Sequence, residues 1–189
     1  SKGIHLNSKD QKRRTAFMLA CCNGHKDVVQ LLLDKSIDLN VKDDDGWTGL
    51  MWACCYGHKE VVKLLLDHSE RIELNARNID GRTAFMIACN NGHKDVVKLL
   101  LEHSARIELN TRNSIGGTAF MDACYYGHKD VVKLLLDHPE GIELNARTNN
   151  GRTAFMIACR SVFKDVVKLL LEYSEVVDIN IPESFQLSE

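Results

Sequence analysis

The chain has 189 residues, with 24 basic and 26 acidic side chains and a formal charge of −2. That balance excludes the broad electrostatic pull on nucleic acid that a strongly basic chain has. No apolar run is long enough to suggest a membrane span.

Ile4-His5-Leu6-Asn7 copies a phrase that returns as Ile72-Glu73-Leu74-Asn75, so residues 1–7 read as a partial hairpin arm. Five units follow, at about 8–40, 41–75, 76–110, 111–145 and 146–180, with a tail at 181–189. Thr15, Thr48, Thr83, Thr118 and Thr153 set the phase, spaced by 33 residues and then three times by 35. A fixed period in this range signals a stacked array, read here as a single domain over 1–189. In the first unit Arg13 stands where Gly46, Gly81, Gly116 and Gly151 stand later. The second unit carries both tryptophans, Trp47 and Trp52, with Tyr56 close by.

The third unit shows the expected elements most plainly. Thr83 is a good N-cap for a helix starting at Ala84, because its oxygen can accept an orphan backbone N–H. That helix should end near Asn91-Gly92, where glycine tolerates a left-handed cap. A second helix should begin near His93-Lys94-Asp95, with Val96, Val97, Leu99, Leu100 and Leu101 forming an apolar stripe. Ile107-Glu108-Leu109-Asn110 then alternates like a short strand, and the residues up to Gly116 read as a turn. The two extra residues of the longer units fall near Glu70-Arg71, Ala105-Arg106 and Glu140-Gly141 and should lengthen the exit from the second helix. The fourth unit places Asp122, Tyr125 and Tyr126 in its first helix; the fifth has Arg160-Ser161-Val162-Phe163 where the third has Asn90-Asn91-Gly92-His93.

The frame Asp43-x-x-Gly46-x-Thr48, Ala53-Cys54, Gly57-His58, Val61-Val62-x-Leu64-Leu65-Leu66 and Leu74-Asn75 resembles the ankyrin repeat, over nearly the whole chain. The family's Pro-Leu-His is replaced by Ala-Phe-Met in four units and by Gly49-Leu50-Met51 in the second, so Met18, Met51, Met86, Met121 and Met156 lack the histidine that steadies the hairpin. The resemblance implies an all-α repeat solenoid, an ankyrin-type stack of helix-turn-helix and β-hairpin. It implies a monomeric, non-catalytic scaffold that binds a protein or peptide on its concave side, made of hairpin tips and first helices. Carried over slot by slot to the second to fourth units, that surface comprises Asp44, Asp45, Trp47, Ile79, Arg82 and Ile115 at the tips. In the first helices it comprises Trp52, Tyr56, Ile87, Asn91, Asp122, Tyr125 and Tyr126. Aromatic residues and arginine dominate binding hot spots, so the tryptophans are expected to serve binding; the alternative is that Trp47 and Trp52 pack on one another or on a neighbouring tip. Gly117, Asn149, Asn150, Arg152 and Ile157 fall in equivalent slots. A structural spacer or regulatory segment of a larger protein, such as a channel, kinase, ubiquitin ligase or host-directed effector, is the alternative. Asn40, Asn75, Asn110 and Asn145 resemble the slot that an asparagine hydroxylase modifies in ankyrin repeats, and a turn-forming role competes with that reading.

The remaining polar residues follow the period. Cys21, Cys54, Cys89, Cys124 and Cys159 share a slot that suits a small buried side chain, whereas Cys22 and Cys55 should be more open and more reactive. Free thiols argue for a reducing compartment, cytosolic or nuclear. His25, His58, His93 and His128 open second helices and read as structural, and no Cys-x-x-Cys or zinc-type spacing points to a metal. No nucleophile–base constellation or phosphate loop stands outside the repeat, so no enzyme activity and no cofactor are expected. Lys9, Lys42, Arg77, Arg112 and Arg147 face Glu73, Glu108 and Glu143, with Asp38 and Asp178 at the ends, as an opposed charge ladder.

Overall fold

The computed structural model describes residues 6–180. The partial arm at 1–7 is therefore seen only in its last two residues, and the tail at 181–189 lies outside the described residues. Each unit is a pair of short helices: α1 (Ala16–Cys22) with α2 (Lys26–Leu33), α3 (Gly49–Cys55) with α4 (Lys59–Asp67), α5 (Ala84–Asn90) with α6 (Lys94–Glu102), α7 (Ala119–Tyr125) with α8 (Lys129–Leu136), and α9 (Ala154–Arg160) with α10 (Lys164–Glu172). A 3-10 turn, Pro139–Gly141, follows α8.

Every first helix starts on a buried threonine whose Oγ1 accepts the N–H of the methionine three residues on, at 3.3–3.4 Å. Such a cap stabilises a helix by about 1 kcal/mol. In the first unit the Met18 thioether also accepts the Thr15 N–H at 3.5 Å. For Met18 this corrects the expectation that methionine cannot replace the bonds of the family's histidine: sulfur is a weak acceptor, but here it closes a capping box. Helices of seven to nine residues are too short to be stable alone. Packing supplies the difference. First helices lie on first helices and second on second along the array, and one apolar cluster runs from Phe17 to Val177 without a break. Phe17, Phe85 and Phe120 are almost fully enclosed in it.

Polar groups carry the period from unit to unit. The histidines that open α4, α6 and α8 do not cap their own helices. Their Nε2–H groups donate at 2.8 Å to the carbonyls of Cys22, Cys55 and Asn90 in the unit before. The His58 ring lies over Gly24, where a Cβ would come within 2.6 Å of it. In the fifth unit Phe163 covers Gly127 in the same way, without a nitrogen to donate. The added arginines also reach backwards. Arg71 donates to Leu33 O at 2.6 Å and to Lys35 O at 3.2 Å, and Arg106 donates to Ser69 O at 2.8 Å.

The expected strand-like arm at Ile107–Asn110 is not a strand, and the sole bridge among the described residues joins Lys9 to Thr15. Side chains do the joining instead. Asn75 Oδ1 accepts the Glu108 N–H at 2.9 Å while Asn75 Nδ2 donates to Arg106 O at 2.9 Å. Asn40, Asn110 and Asn145 repeat the pattern towards the unit that follows each. With the amide satisfying both a donor and an acceptor of the neighbouring arm, no main-chain ladder is needed. This supplies a structural reason for asparagine in all four positions. At the hairpin tips one main-chain bond per step links the units, as in Ile79 N–H to Asp45 O at 3.1 Å and Ser114 N–H to Asp80 O at 2.9 Å. Arg13 takes the left-handed backbone of the turn glycines, with φ of 59°, at a cost of roughly 1–2 kcal/mol.

Candidate functional site

Each hairpin tip is organised by one side chain at its base: Asp10, Asp43, Asn78, Asn113 or Thr148. An oxygen of each accepts the main-chain N–H four residues on, at 2.8 Å for the first four and 3.1 Å for Thr148. The aspartates have a second oxygen to spare. Asp10 Oδ2 takes the Arg14 guanidinium at 2.7 Å, and Asp43 Oδ2 takes the Trp52 indole N–H at 3.0 Å. The asparagines and the threonine have no second carboxylate oxygen, so units three to five lack this internal negative charge.

In unit two the two tryptophans are taken up by the fold. Trp47 and Trp52 pack at 4.6 Å between ring centroids, and Tyr56 stacks on Trp52 at 6.2 Å. Both tryptophans are half-buried and Trp47 leans on the core. The alternative of mutual packing is what the structure shows: the carboxylate at the tip base fastens Trp52, and Trp52 packs on Trp47. Tyr56 remains exposed, as do Asp44 and Asp45 at the tip.

Unit four differs. Tyr125 and Tyr126 meet edge to face at 4.9 Å, both exposed, and among the described residues neither hydroxyl has a hydrogen-bond partner. They border a cleft of about 640 Å³ whose lining includes Arg82, Ile115, Gly117, Asp122, Arg152 and Ile157. Ile79 and Ile115 stand out from neighbouring tips, 70% and 65% exposed.

Asp122 and Ile87 were expected on the open surface. Ile87 is 2% exposed and belongs to the core, and Asp122 is 9% exposed. The slot they share is half-buried at Trp52 and Ile157 and closed at Ile87 and Asp122, in units three and four. Asp122 is thus a carboxylate in an apolar slot. Burial pushes its pKa up to about 6, opposed by Arg82, whose guanidinium is 3.9 Å away. Its Oδ2 has no hydrogen-bond partner. Asn91 is exposed but spends its amide on Ile87 O at 2.8 Å.

The cleft extends into unit five through Thr148, Asn149, Asn150, Arg152 and Ile157, beyond the second to fourth units where the surface was expected. The signal was present in the sequence. Arg82 and Arg152 follow the turn glycine of their units, and in unit four that place is Gly117. A missing side chain between two long ones leaves a notch.

The other chemical groups are quiet. Cys21, Cys54, Cys89 and Cys124 are buried, and desolvation raises their pKa values. Cys22 and Cys55 are half-buried and also raised, while Cys159, expected inside, is exposed. The slot is enclosed only where another unit lies against it, as Gly49 lies against the Cys21 sulfur. None of these thiols is shifted towards the reactive thiolate. Of the charge ladder, Arg112–Glu143 at 3.7 Å and Arg147–Asp178 at 3.6 Å form. Lys42, Arg77 and Arg112 also donate to the carbonyl of the basic residue in the next unit. Among the described residues no cluster of three metal-binding side chains occurs, and no helix is long and apolar enough to cross a membrane.

A family model described as ankyrin repeats, in three copies, matches residues 2–78, 70–148 and 107–183. Ankyrin repeats are generally protein–protein interaction modules and typically non-catalytic. Ten short helices among the described residues, stacked as like on like, with threonine caps, turn glycines and this match, together place the chain in the ankyrin repeat family, as an all-α repeat solenoid.

Proposed function

We propose that the chain is a non-catalytic scaffold that binds a protein or peptide partner along the hairpin tips and first helices, as one monomeric array. One observation carries the reading. Exposed Ile115, Tyr125 and Tyr126 line the 640 Å³ cleft, and exposed Tyr56 and Ile79 occupy first-helix and tip positions of units two and three on the same repeat frame. Apolar and aromatic residues that gather on a surface usually mark an interaction site. The unactivated free thiols suit a reducing compartment, cytosolic or nuclear.

The test compares partners captured by the wild type with those captured by Tyr56→Ala and by the double variant Tyr125→Ala, Tyr126→Ala. These side chains are exposed, so the fold should persist while affinity falls by about 2 kcal/mol or more. Retention of the full partner set by both variants would leave the spacer reading in its place.

A further inference from the structure

We propose that the cleft of units three to five receives an acidic side chain, Asp or Glu, from a peptide segment in which an apolar residue stands beside it. This rests on the interaction reading above and names the chemistry of its partner. Arginine occurs in the same slot as Arg14, Arg82 and Arg152. Arg14 is tied to Asp10 at 2.7 Å, which is possible because the base of that tip is a carboxylate. The bases of the other two tips are Asn78 and Thr148, which offer no charge. Arg82 is left with a loose pairing to Asp122 at 3.9 Å, and among the described residues the Arg152 guanidinium has no partner. Both line the one cleft, with Gly117 between them in the repeat order. Two under-paired guanidinium groups against a single carboxylate favour an anion, and the planar fork of arginine suits a carboxylate in particular.

The size and lining of the cleft exclude a bare ion as its natural occupant. At about 640 Å³, bordered by Ile115, Ile157 and the rings of Tyr125 and Tyr126, it has room and apolar surface for a neighbouring residue. A basic side chain seeking Asp122 is disfavoured, since Oδ2 is closed off from solvent and Arg82 already stands 3.9 Å from Oδ1.

The probe is a displayed library of random peptides of about 12 residues, a length that allows one anchor and its flanks, selected on the full chain. Selected peptides should share Asp or Glu at one position next to an apolar residue. Replacing that Glu with Gln should weaken binding at least about tenfold. Arg152→Gln should do the same, and the two changes together should cost little more than either alone. Gly117→Arg, which fills the notch, should also block binding; because a Cβ there would lie 3.1 Å from Asn113, Arg152→Gln is the variant that decides if Gly117→Arg fails to fold. Enrichment of Lys or Arg, equal binding of the Gln peptide, or displacement by a single-stranded oligonucleotide in preference to peptide would overturn the assignment. Peptides that lack an acid yet are lost with Tyr125→Ala, Tyr126→Ala would sink the acidic assignment and spare the interaction reading. Peptides indifferent to the tyrosines, or no selection at all, would sink both.

Discussion

Units two and four are built on the same frame and use their aromatic residues in opposite ways. In unit two Asp43 supplies an acceptor for Trp52, Trp52 supports Trp47, and the group closes on itself. In unit four the corresponding base is Asn113, the tip residue is Gly117, and the tyrosines stay open beside a cleft. In unit two a carboxylate at the base of the hairpin ties Trp52, and with it Trp47, into the fold; unit four has Asp122 and Gly117 in those two slots and carries its aromatic residues as Tyr125 and Tyr126, which stay exposed. Richness in aromatic residues alone is a poor guide to where an array binds.

The sharpest way to break this comparison is Trp52→Ala. Removing a half-buried indole that another ring rests on should destabilise the protein by about 3 kcal/mol in denaturant unfolding. If stability is unchanged, unit two is not closed on itself and the contrast fails.

Asp122→Asn probes the other side. The folded protein holds the Asp122 proton up to about pH 6, whereas the ordinary value is 3.8. The folded state thus binds more protons between these values, so stability falls as pH rises from about 4 to 6. The variant should be more stable than the wild type by about 2 kcal/mol at pH 7 and equal to it below pH 4, as read from urea midpoints across that range. A constant difference at all pH values would mean that the carboxylate is not a buried charge.

Asp43→Asn makes the base of unit two resemble that of unit four. The Trp52 indole N–H then loses its charged acceptor, with an expected loss of about 1.5 kcal/mol and a red shift in tryptophan fluorescence as the ring opens to water. An unshifted spectrum would show that ring packing, not Asp43, holds the indole. The smallest effect belongs to Tyr125→Ala, expected within about 0.5 kcal/mol of the wild type in stability; a larger loss would place Tyr125 with the tryptophans, as part of the fold.

Much of the architecture was legible in the sequence because it depends on local chemistry repeated in register. The threonine caps, the turn glycines and the Val-Val-x-Leu-Leu-Leu stripes each announce their conformation from side-chain type alone. The hairpin arms read as strand-like, yet no strand forms at Ile107–Asn110, because alternation there reports burial on one side only. It does not show that an asparagine, rather than a neighbouring backbone, makes the bonds. Ile87 and Asp122 were misplaced because their exposure depends on how closely neighbouring units approach, which repeat phase does not encode.

The sequence by itself thus determined the family, the five units, their helices and which side of the array varies. Those follow from periodic apolar faces and from conformational preferences that act within a few residues. Only the tertiary structure decided which variable residues are spent. Trp52 finds Asp43 nine positions away, and Asp122 sinks between adjacent helices and meets Arg82 forty residues back. Among the described residues Arg152 is left without a carboxylate. Such pairings are settled by distances between units, where a change of a few ångströms separates a satisfied charge from a free one.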